Sequence, residues 1–543
     1  MTAIASAETR GGGALVGAGK LVRLMLRRDR VKLPAWILGL SAFWLYYTRL
    51  VPTAYPTEED LNAIVSMMGG PAGRMWTGPT YFLQNMTYET FIPGAYGGYL
   101  LLLIGLMSIL LIVRHTRVEE QTGRAELVRA SVVGRHAPLT AALLVALIAN
   151  AVLAALVALM MIADPIFSTA GSLLFAAGCL VTGLAFAGLA AFVVQIPEYS
   201  RTATSLAAGL GLGGAFMIKA LGGMGSEHGT ALSWFSPLAW PQQTAPFVLD
   251  RWWPLALPVV FAAVTASLGY VLSTRRDVGA GMMQAWRGKA RGVKWLGTPL
   301  GLAWRLERSP ILWWMFAMGV SGMAFAGFAD AAVPGEMPEA LLEVLGGAEN
   351  IVAGYLSYMA LFMAPIVAIY AVLAMQGMRA EETGGRGEPV LATPVSRWAW
   401  LGSNLVVSAV GVLLIMTAAG LGAGLAATSV TGDAKWLGNL TVAHLNHVPA
   451  ILVVLGLAGL LFGAAPRLQG LTWGLIGYGF IAATFGRLMN LPEWALGLSP
   501  FDHAASMPLE AFELAPVAIL TAIAAALAAV GLIAFRKRGI NIA

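Results

Sequence analysis

Few side chains in this chain of 543 residues could carry chemistry, and none of them forms a recognisable catalytic or metal-binding motif. His444 and His447 have the H-x-x-H spacing of two metal ligands on one helix face, but no nearby carboxylate or cysteine completes a ligand set. Asp502 and His503 could form an acid–base pair, but no nucleophile motif accompanies them. We interpret the first two as interface histidines, and we predict neither a catalytic residue nor a metal site.

The glycine-rich run at residues 11–20 is not a phosphate-binding loop. Such a loop requires G-x-x-x-x-G-K followed by Ser or Thr. Counting back from Gly19-Lys20, the first glycine of the motif falls on Ala14, and Leu21 follows the lysine. Because no other segment supplies a nucleotide site, we expect no cofactor in this chain. If the protein uses ATP and Mg²⁺, they bind to another polypeptide.

The most informative polar feature is a charged segment that occurs twice. Residues 117–135 read RVEEQTGRAELVRASVVGR, and residues 379–397 read RAEETGGRGEPVLATPVSR. The copies align without a gap at an offset of 379 − 117 = 262, and each lies between two long apolar segments. We name them loop A and loop B. A charged repeat in an apolar chain indicates a docking surface that is presented twice to a two-fold partner.

The elements that position these loops are membrane helices. Charged residues make up 11% of the chain, against roughly 25% in soluble domains, and the mean hydropathy is +0.73. Apolar runs long enough for a hydrocarbon core of about 30 Å predict an all-α polytopic membrane protein. We predict twelve spans, at residues 33–48, 92–113, 137–162, 170–194, 202–218, 254–273, 310–328, 351–374, 398–425, 448–465, 468–485 and 514–535.

Charge in the connections predicts the orientation. Lys and Arg are concentrated before the first span, in loop A, in the central connector and at the C-terminus, whereas the alternate connections 58–60 and 336–349 are acidic. The positive-inside rule then places both termini and both loops in the cytoplasm. We expect a multi-pass protein of a bacterial plasma (inner) membrane. The net charge of +6 is scattered over these connections, which argues against nucleic-acid binding.

The repeat divides the chain into two halves. We predict a loose N-terminus and an amphipathic elbow helix (1–32), a first six-helix half (33–274), a basic connector with a second elbow (275–308) and a second six-helix half (309–543). Each loop lies between the second and third span of its half, so the halves form a parallel repeat. Ser236-Pro237 and Ser499-Pro500 recur in segments 222–253 and 486–513, which we expect at the outer interface.

The spans contain almost no charged residue near the bilayer centre, which argues against proton coupling. Lys219 ends the fifth span and is expected to reach the outer headgroups. Methionine and aromatic side chains could instead line an apolar cavity between the halves for a hydrophobic or amphipathic substrate. The candidate pathway residues are Tyr96, Tyr99, Met107, Phe216, Met217, Tyr355, Tyr358, Met359, Phe362, Met363, Tyr478 and Phe480.

Loops A and B resemble the coupling-helix loop of ABC-2 type exporter permeases, which has the approximate pattern E-x-x-x-G-[TR]-x-E-x-[LV]-x-x-[TS]-P-[VI]. Loop B keeps nearly all of it from Glu381 to Val395, whereas loop A has Val132 in place of the proline. The Ser-Pro segments, which contain FSPLAW and LSPF, are similar to those of a branch that fuses two permease halves in one chain and contains polyketide-antibiotic and multidrug exporters.

This resemblance implies an export permease that works by alternating access with two copies of a separate ABC ATPase subunit. The glutamates would pair with basic residues of the ATPase, and the valines would anchor the loops. The residues expected to contact the ATPase are Glu119, Glu120, Gly123, Arg124, Glu126, Val128 and Val133 in loop A, and Glu381, Glu382, Gly385, Arg386, Glu388, Val390, Thr393, Pro394 and Val395 in loop B.

Two other functions remain open from the residues. A proton-coupled secondary carrier with twelve helices would share the two parallel halves, but such carriers usually have a G-x-x-x-D-R-type loop where loop A has paired glutamates. A membrane enzyme that acts on lipids would have to use Asp502-His503 or the pair His444 and His447.

Overall fold

The computed structural model describes residues 13–57, 61–62, 65–277, 279–283, 292–329, 350–486 and 491–539. Every regular element within these ranges is a helix. Ten helical stretches of the described chain are long and apolar enough to cross a membrane. The predicted class, an all-α polytopic membrane protein, is therefore confirmed.

The chain forms two compact units, residues 1–287 and 288–543, and the boundary between them falls within the basic connector. The helices of the first unit are α1 Ala18–Arg28, α2 Lys32–Ala54, α3 Val65–Gly69, α4 Pro71–Thr77, α5 Tyr88–His115, α6 Arg117–Gln121, α7 Arg124–Arg129, α8 Ala137–Ile162, α9 Thr169–Val193, α10 Ser200–Thr204, α11 Gly214–Met224, α12 Ala239–Gln242 and α13 Ala256–Ser273. Those of the second unit are α14 Pro299–Ala326, α15 Ile351–Thr383, α16 Gly387–Leu391, α17 Arg397–Thr431, α18 Lys435–Asn446, α19 Val448–Ala464, α20 Leu471–Phe485, α21 Glu493–Leu496 and α22 Leu514–Lys537.

Two of the twelve predicted spans differ from the other ten. Helix α2 has 23 residues, with Pro52 inside it, but it is less apolar than the ten membrane-length stretches. Helix α20 has only 15 residues, fewer than the roughly 20 that a helix needs to cross a bilayer. Both predicted segments are helical, so the sequence located the elements correctly but overestimated how many have the length and apolarity of a span.

Several helix ends in the structure also differ from the predicted ends of the spans. The third span coincides with α8, at residues 137–162. The eighth continues from the predicted end at residue 374 to Thr383, so the first residues of loop B belong to a membrane-length helix. The seventh begins at Pro299 rather than at residue 310, because Thr298 accepts a hydrogen bond from the backbone N–H of Gly301 and caps the helix there. Pro310 lies inside this continuous helix.

The fifth span is irregular. Residues Ser205–Gly213 form a π-helix between α10 and α11, and the complete helical stretch runs from Ser200 to Met224. Four glycines at positions 209, 211, 213 and 214 fall in or next to this wider turn. Glycine gives the backbone the freedom that an i→i+5 pattern needs, and π-helical turns occur frequently at functional sites.

The two Ser-Pro segments share one local hydrogen bond, although the short helices beside them lie on opposite sides of the serine. The hydroxyl oxygen of Ser236 accepts a hydrogen bond from the N–H of Leu238 at 3.2 Å, and that of Ser499 accepts one from the N–H of Phe501 at 3.3 Å. Both serines are fully buried. A short 3-10 helix precedes Ser236, at Ala231–Phe235, and another follows Ser499, at Pro500–His503. The repeat detected in the loops thus extends to these segments.

Small residues bring helices α14 and α17 into direct backbone contact. A Cβ atom on Gly422 would lie 2.1 Å from the carbonyl oxygen of Gly319, and one on Gly322 would lie 2.3 Å from that of Ala419. Lipid tails are as apolar as the side chains, so membrane helices associate through such close packing rather than through the hydrophobic effect.

We expect Gly422→Ala to lower the midpoint of thermal aggregation of the detergent-solubilised protein. The added methyl group must push α14 away from α17, and overpacking of this kind costs about 1–3 kcal/mol. Gly474→Ala in α20 is the matched control, because nothing lies within 4 Å of its Cβ position. Equal midpoints for the two variants would contradict the tight contact.

Candidate functional site

Loops A and B share one turn. Gly123 and Gly385 occupy equivalent positions and have φ values of 73° and 68°, in the left-handed region where glycine is favoured. In loop A this glycine separates the short helices α6 and α7, and in loop B it separates the end of α15 from α16. The hydroxyl groups of Ser131 and Thr393 also make equivalent bonds, each at 2.6 Å, to the carbonyl oxygens of Val128 and Val390.

The first glutamate of each pair bonds to a different element. In loop A, Glu119 accepts two hydrogen bonds from the guanidinium of Arg28 on α1, at 2.7 and 2.8 Å. These bonds raise the pKa of Arg28 above its ordinary value. In loop B, Glu381 bonds to Arg386 of the same loop, with the closest approach at 2.9 Å. This position therefore connects loop A to the N-terminal helix of its own unit.

The second glutamate of loop A lies in a largely buried network. Glu120 accepts hydrogen bonds from Arg117 at 2.9 Å and from Arg276 at 2.7 and 2.8 Å. Arg276 follows the last helix of the unit, and its Nε also donates to the side chain of Gln195 at 2.7 Å. The side chain of Arg117 is 1% exposed and that of Arg276 is 7% exposed. The two arginines also share the carbonyl oxygen of Ala280.

The second glutamate of loop B makes the corresponding contact. Glu382 accepts hydrogen bonds at 2.7 and 2.8 Å from Nη2 of Arg538, the first residue after α22. The guanidinium of Arg538 also lies over the rings of Phe462 and Phe535, 5.4 and 5.3 Å from their centroids. The Glu382 side chain is 4% exposed, whereas that of Glu381 is 32% exposed.

A second pair of contacts repeats as well. The guanidinium of Arg117, the first residue of loop A, donates to the carbonyl oxygen of Val194 at 2.6 Å, just past the end of α9. The guanidinium of Arg379, the first residue of loop B, donates to the carbonyl oxygen of Pro466, just past the end of α19. Each loop is thus fixed to the end of the fourth predicted span of its own half.

The structure changes which loop residues are accessible to a partner. The four valines expected to anchor a partner, Val128, Val133, Val390 and Val395, pack instead against the apolar core of their own unit. The neighbouring apolar residues Leu127 and Val132 are 76% and 84% exposed. Their equivalents in loop B, Pro389 and Pro394, are also exposed. Helices of five or six residues are too short for a sequence pattern to show which of two adjacent apolar residues faces outward.

The remaining polar candidates of the loops lie at the surface. Docking by any of them stays a prediction. The exposed candidates are Arg124, Glu126, Arg386, Glu388 and Thr393.

Aromatic candidates for the substrate pathway form clusters in each unit. In the first unit, Tyr96 stacks on Tyr47, with ring centroids 4.1 Å apart. Tyr99 and Phe216 both contact Trp76, at 6.3 and 5.7 Å between centroids. All of these rings are half-buried.

In the second unit, Phe362 lies between Phe325 and Phe480, with centroids 5.8 and 5.4 Å from its own. The hydroxyl of Tyr355 donates to the carbonyl oxygen of Phe325 at 2.9 Å. The hydroxyl of Tyr478 donates to the carbonyl oxygen of Ala495 in α21. These bonds give two of the candidate tyrosines a structural role.

Two of the candidate pathway methionines are buried, and the other two are half-buried. Met107 and Met363 are buried in the cores of their units, away from any surface that a substrate could reach in this conformation. The remaining three candidates, half-buried on their helices, are Met217, Tyr358 and Met359. A role in the pathway stays a prediction for the whole set.

Lys219 does not extend to the surface as the sequence suggested. It is only 2% exposed, its Nζ donates to the backbone carbonyl oxygen of Trp76 at 2.7 Å, and the ammonium lies 5.3 Å from the ring centroid of Phe216. The residue therefore connects α11 to α4 inside the first unit. The sequence places Lys219 near the end of an apolar helix, where a lysine side chain commonly extends to the membrane surface. The packing of α4 against α11, which brings the carbonyl group of Trp76 to the ammonium, cannot be read from the sequence.

Two of the three candidate histidines bond to the backbone. His444 and His447 are buried inside the second unit, and Nδ1 of His444 bonds to the carbonyl oxygen of Leu440 at 2.8 Å. A ring nitrogen of His503 bonds to the carbonyl oxygen of Gly497 at 2.8 Å. Across the described ranges, no group of three side chains that could hold a metal ion occurs.

These features define a polytopic α-helical membrane protein with two structurally repeated loops. Residues 296–536 match the family model described as the C-terminal domain of the multidrug efflux system permease Rv1217c. The chain is 36% identical over 538 residues to the multidrug efflux system permease protein Rv1217c of Mycobacterium tuberculosis. The aligned region covers 98% of this chain and 96% of that relative. The chain belongs to this family of multidrug efflux system permeases.

Single-cysteine variants test the exposure of loop A. Leu127→Cys and Val132→Cys should react rapidly with a membrane-impermeant maleimide in inside-out vesicles, because both side chains are exposed. Val128→Cys and Val133→Cys should react more slowly, because both side chains are half-buried against the apolar core of the first unit. The native Cys179 is buried and provides a low background.

Labelling of right-side-out vesicles is the control for topology. Faster labelling there than in inside-out vesicles would place loop A outside the cell and contradict the orientation predicted from charge.

Proposed function

We propose that this protein is the membrane permease of an ATP-driven exporter and that two copies of a separate ABC ATPase subunit dock on loops A and B. The single observation that carries the proposal is the structural repeat of the loops, which share a glycine turn and exposed apolar residues. A surface that occurs twice with the same geometry suits a partner that is itself present twice. ATP and Mg²⁺ would bind to that partner, since the sequence contains no phosphate-binding loop.

The exposed apolar residues are the anchors of this docking surface. Leu127 and Val132 in loop A and Pro389 and Pro394 in loop B would insert into a cleft of each ATPase subunit. Fully desolvated apolar contacts at the centre of an interface usually contribute most of the binding energy, whereas exposed ion pairs contribute about 0–1 kcal/mol each. The exposed charged residues of the loops would then set orientation rather than affinity.

The substrate class follows from the relative and from the spans. The Mycobacterium tuberculosis protein is named a multidrug efflux system permease, and the aromatic clusters of the present chain offer apolar surfaces. We propose that hydrophobic or amphipathic compounds, such as antibiotics, dyes or lipids, leave the cell through this permease. ATP binding would displace the loops, and this displacement would drive alternating access of the substrate pathway. The plasma membrane, with both termini in the cytoplasm, is the proposed location.

Affinity purification from native membranes, followed by quantitative mass spectrometry, tests the partner. We expect an ABC ATPase at two copies per permease chain. The double variant Leu127→Glu/Pro389→Glu should lower its recovery at least about tenfold, because a charge buried in an apolar cleft costs more than about 1.4 kcal/mol. The double variant Thr122→Glu/Thr383→Glu, with the same charges at exposed polar positions of the same segments, is the matched control.

Two results would contradict the proposal. Equal recovery of the ATPase with both double variants would show that the apolar positions do not dock it. If the unmodified chain were recovered without any ATPase, and its transport responded to a proton gradient, the protein would be a secondary carrier instead.

A further inference from the structure

The ion pairs Glu120–Arg276 and Glu382–Arg538 are equivalent in the two halves. The residues of each pair are separated by 156 positions in the chain, and the two pairs are related by the offset of the loops, since 382 − 120 = 262 and 538 − 276 = 262. In both halves the glutamate belongs to the repeated loop, and the arginine lies within three residues after the last helix, α13 or α22. The sequence repeat alone does not show this contact.

We propose that these two ion pairs are mechanical ties that make each loop move together with the last helix of its own half. The inference rests on the proposed function, because it assigns the step by which displacement of a docked loop enters the membrane. Arg276 and Arg538 are positioning residues in this account: they contact neither the substrate nor the ATPase.

The geometry favours a tie that stays closed during movement. In each pair one guanidinium bonds to both oxygens of the carboxylate, and both partners are largely shielded from water. Separating a buried ion pair leaves two desolvated charges without partners, which is far more costly than separating an exposed pair. The loop and the adjoining helix end therefore respond to a force as one body.

Each loop has a second attachment at its start. Arg117 and Arg379 bond to the carbonyl oxygens of Val194 and Pro466, past the ends of α9 and α19. The loops are thus held at their first residue by the fourth predicted span and three residues later by the last span. A displacement of the loop is consequently transmitted to two helices of the same half. The ion pair determines how much of this displacement is transmitted to the last helix.

The second half offers the cleaner test. Glu120 is shared by Arg117 and Arg276, whereas within the described part of the chain the Glu382 carboxylate bonds to Arg538 alone. The variants Glu382→Gln and Arg538→Gln remove one charge each, and Glu382→Arg/Arg538→Glu exchanges the two charges. An N-terminal affinity tag keeps the tag away from Arg538.

Efflux of ethidium, ATP hydrolysis and co-purification of the ATPase are measured for each variant. We expect Glu382→Gln and Arg538→Gln each to lower the ratio of ethidium efflux to ATP hydrolysis at least about tenfold, with unchanged recovery of the ATPase. The combined Glu382→Gln/Arg538→Gln variant should be no worse than either single one, since both remove the same contact. The charge exchange should restore a large part of the efflux.

The adjacent pair provides a matched control. Glu381→Gln removes an equal charge one residue earlier, but it breaks only the exposed pair with Arg386 inside the loop. We expect less than a twofold change in the ratio, because exposed pairs contribute little. An equally severe effect of Glu381→Gln, or a charge exchange as inactive as the single variants, would overturn the proposal. Loss of ATPase recovery in Glu382→Gln would also overturn it, by placing Glu382 in the docking surface.

A covalent link keeps the proposal testable if the charge variants do not fold. In a Cys179→Ala background, Glu382→Cys and Arg538→Cys are joined by a short bismaleimide. If the ion pair stays closed during transport, the linked protein retains ethidium efflux. If the pair must open, the link blocks ethidium efflux, and this result would overturn the inference. If the unmodified chain exports ethidium without any ATPase, the proposed function fails, while the linked variant still decides whether loop and helix move together.

Discussion

The Glu–Arg ion pair between each repeated loop and the end of the last helix is the contact on which the arrangement of the loops depends. The valines of both loops pack against the apolar core of their own unit, but such non-directional contacts do not by themselves fix the attachment of a loop to one helix end. Bidentate, largely buried ion pairs provide that attachment and fix its geometry. The left-handed glycines then direct the short helices that follow, and the exposed residues of both loops acquire equivalent positions.

Within the spans, the stabilising contacts are of a different kind. Helices α14 and α17 approach so closely that a glycine on one faces the backbone of the other. Such contacts replace the hydrophobic effect, which does not drive helices together in lipid. Buried polar side chains, such as Lys219 on the carbonyl group of Trp76, add single hydrogen bonds where an irregular segment meets a span. The units thus combine tightly packed helices with a few polar attachments at their ends.

The second glutamate makes equivalent contacts in the two loops, whereas the first glutamate makes different contacts. Glu119 connects loop A to α1 through Arg28, whereas Glu381 bonds only within loop B in the described contacts. A force applied to loop A would therefore also reach the N-terminal helix. This difference gives a structural basis for unequal roles of the two loops.

The sequence by itself determined the class, the helices and the repeat. Runs of apolar residues reveal membrane helices because their length must match the bilayer, and the ungapped charged repeat identifies the loops. Only the tertiary structure decided which loop residues are accessible: Val128 packs inward while adjacent Leu127 faces outward. It also decided that Glu120 and Glu382 bond to arginines 156 residues away. The physical reason is that composition and periodicity report local structure, whereas ion-pair partners depend on which distant helix ends come together in the fold.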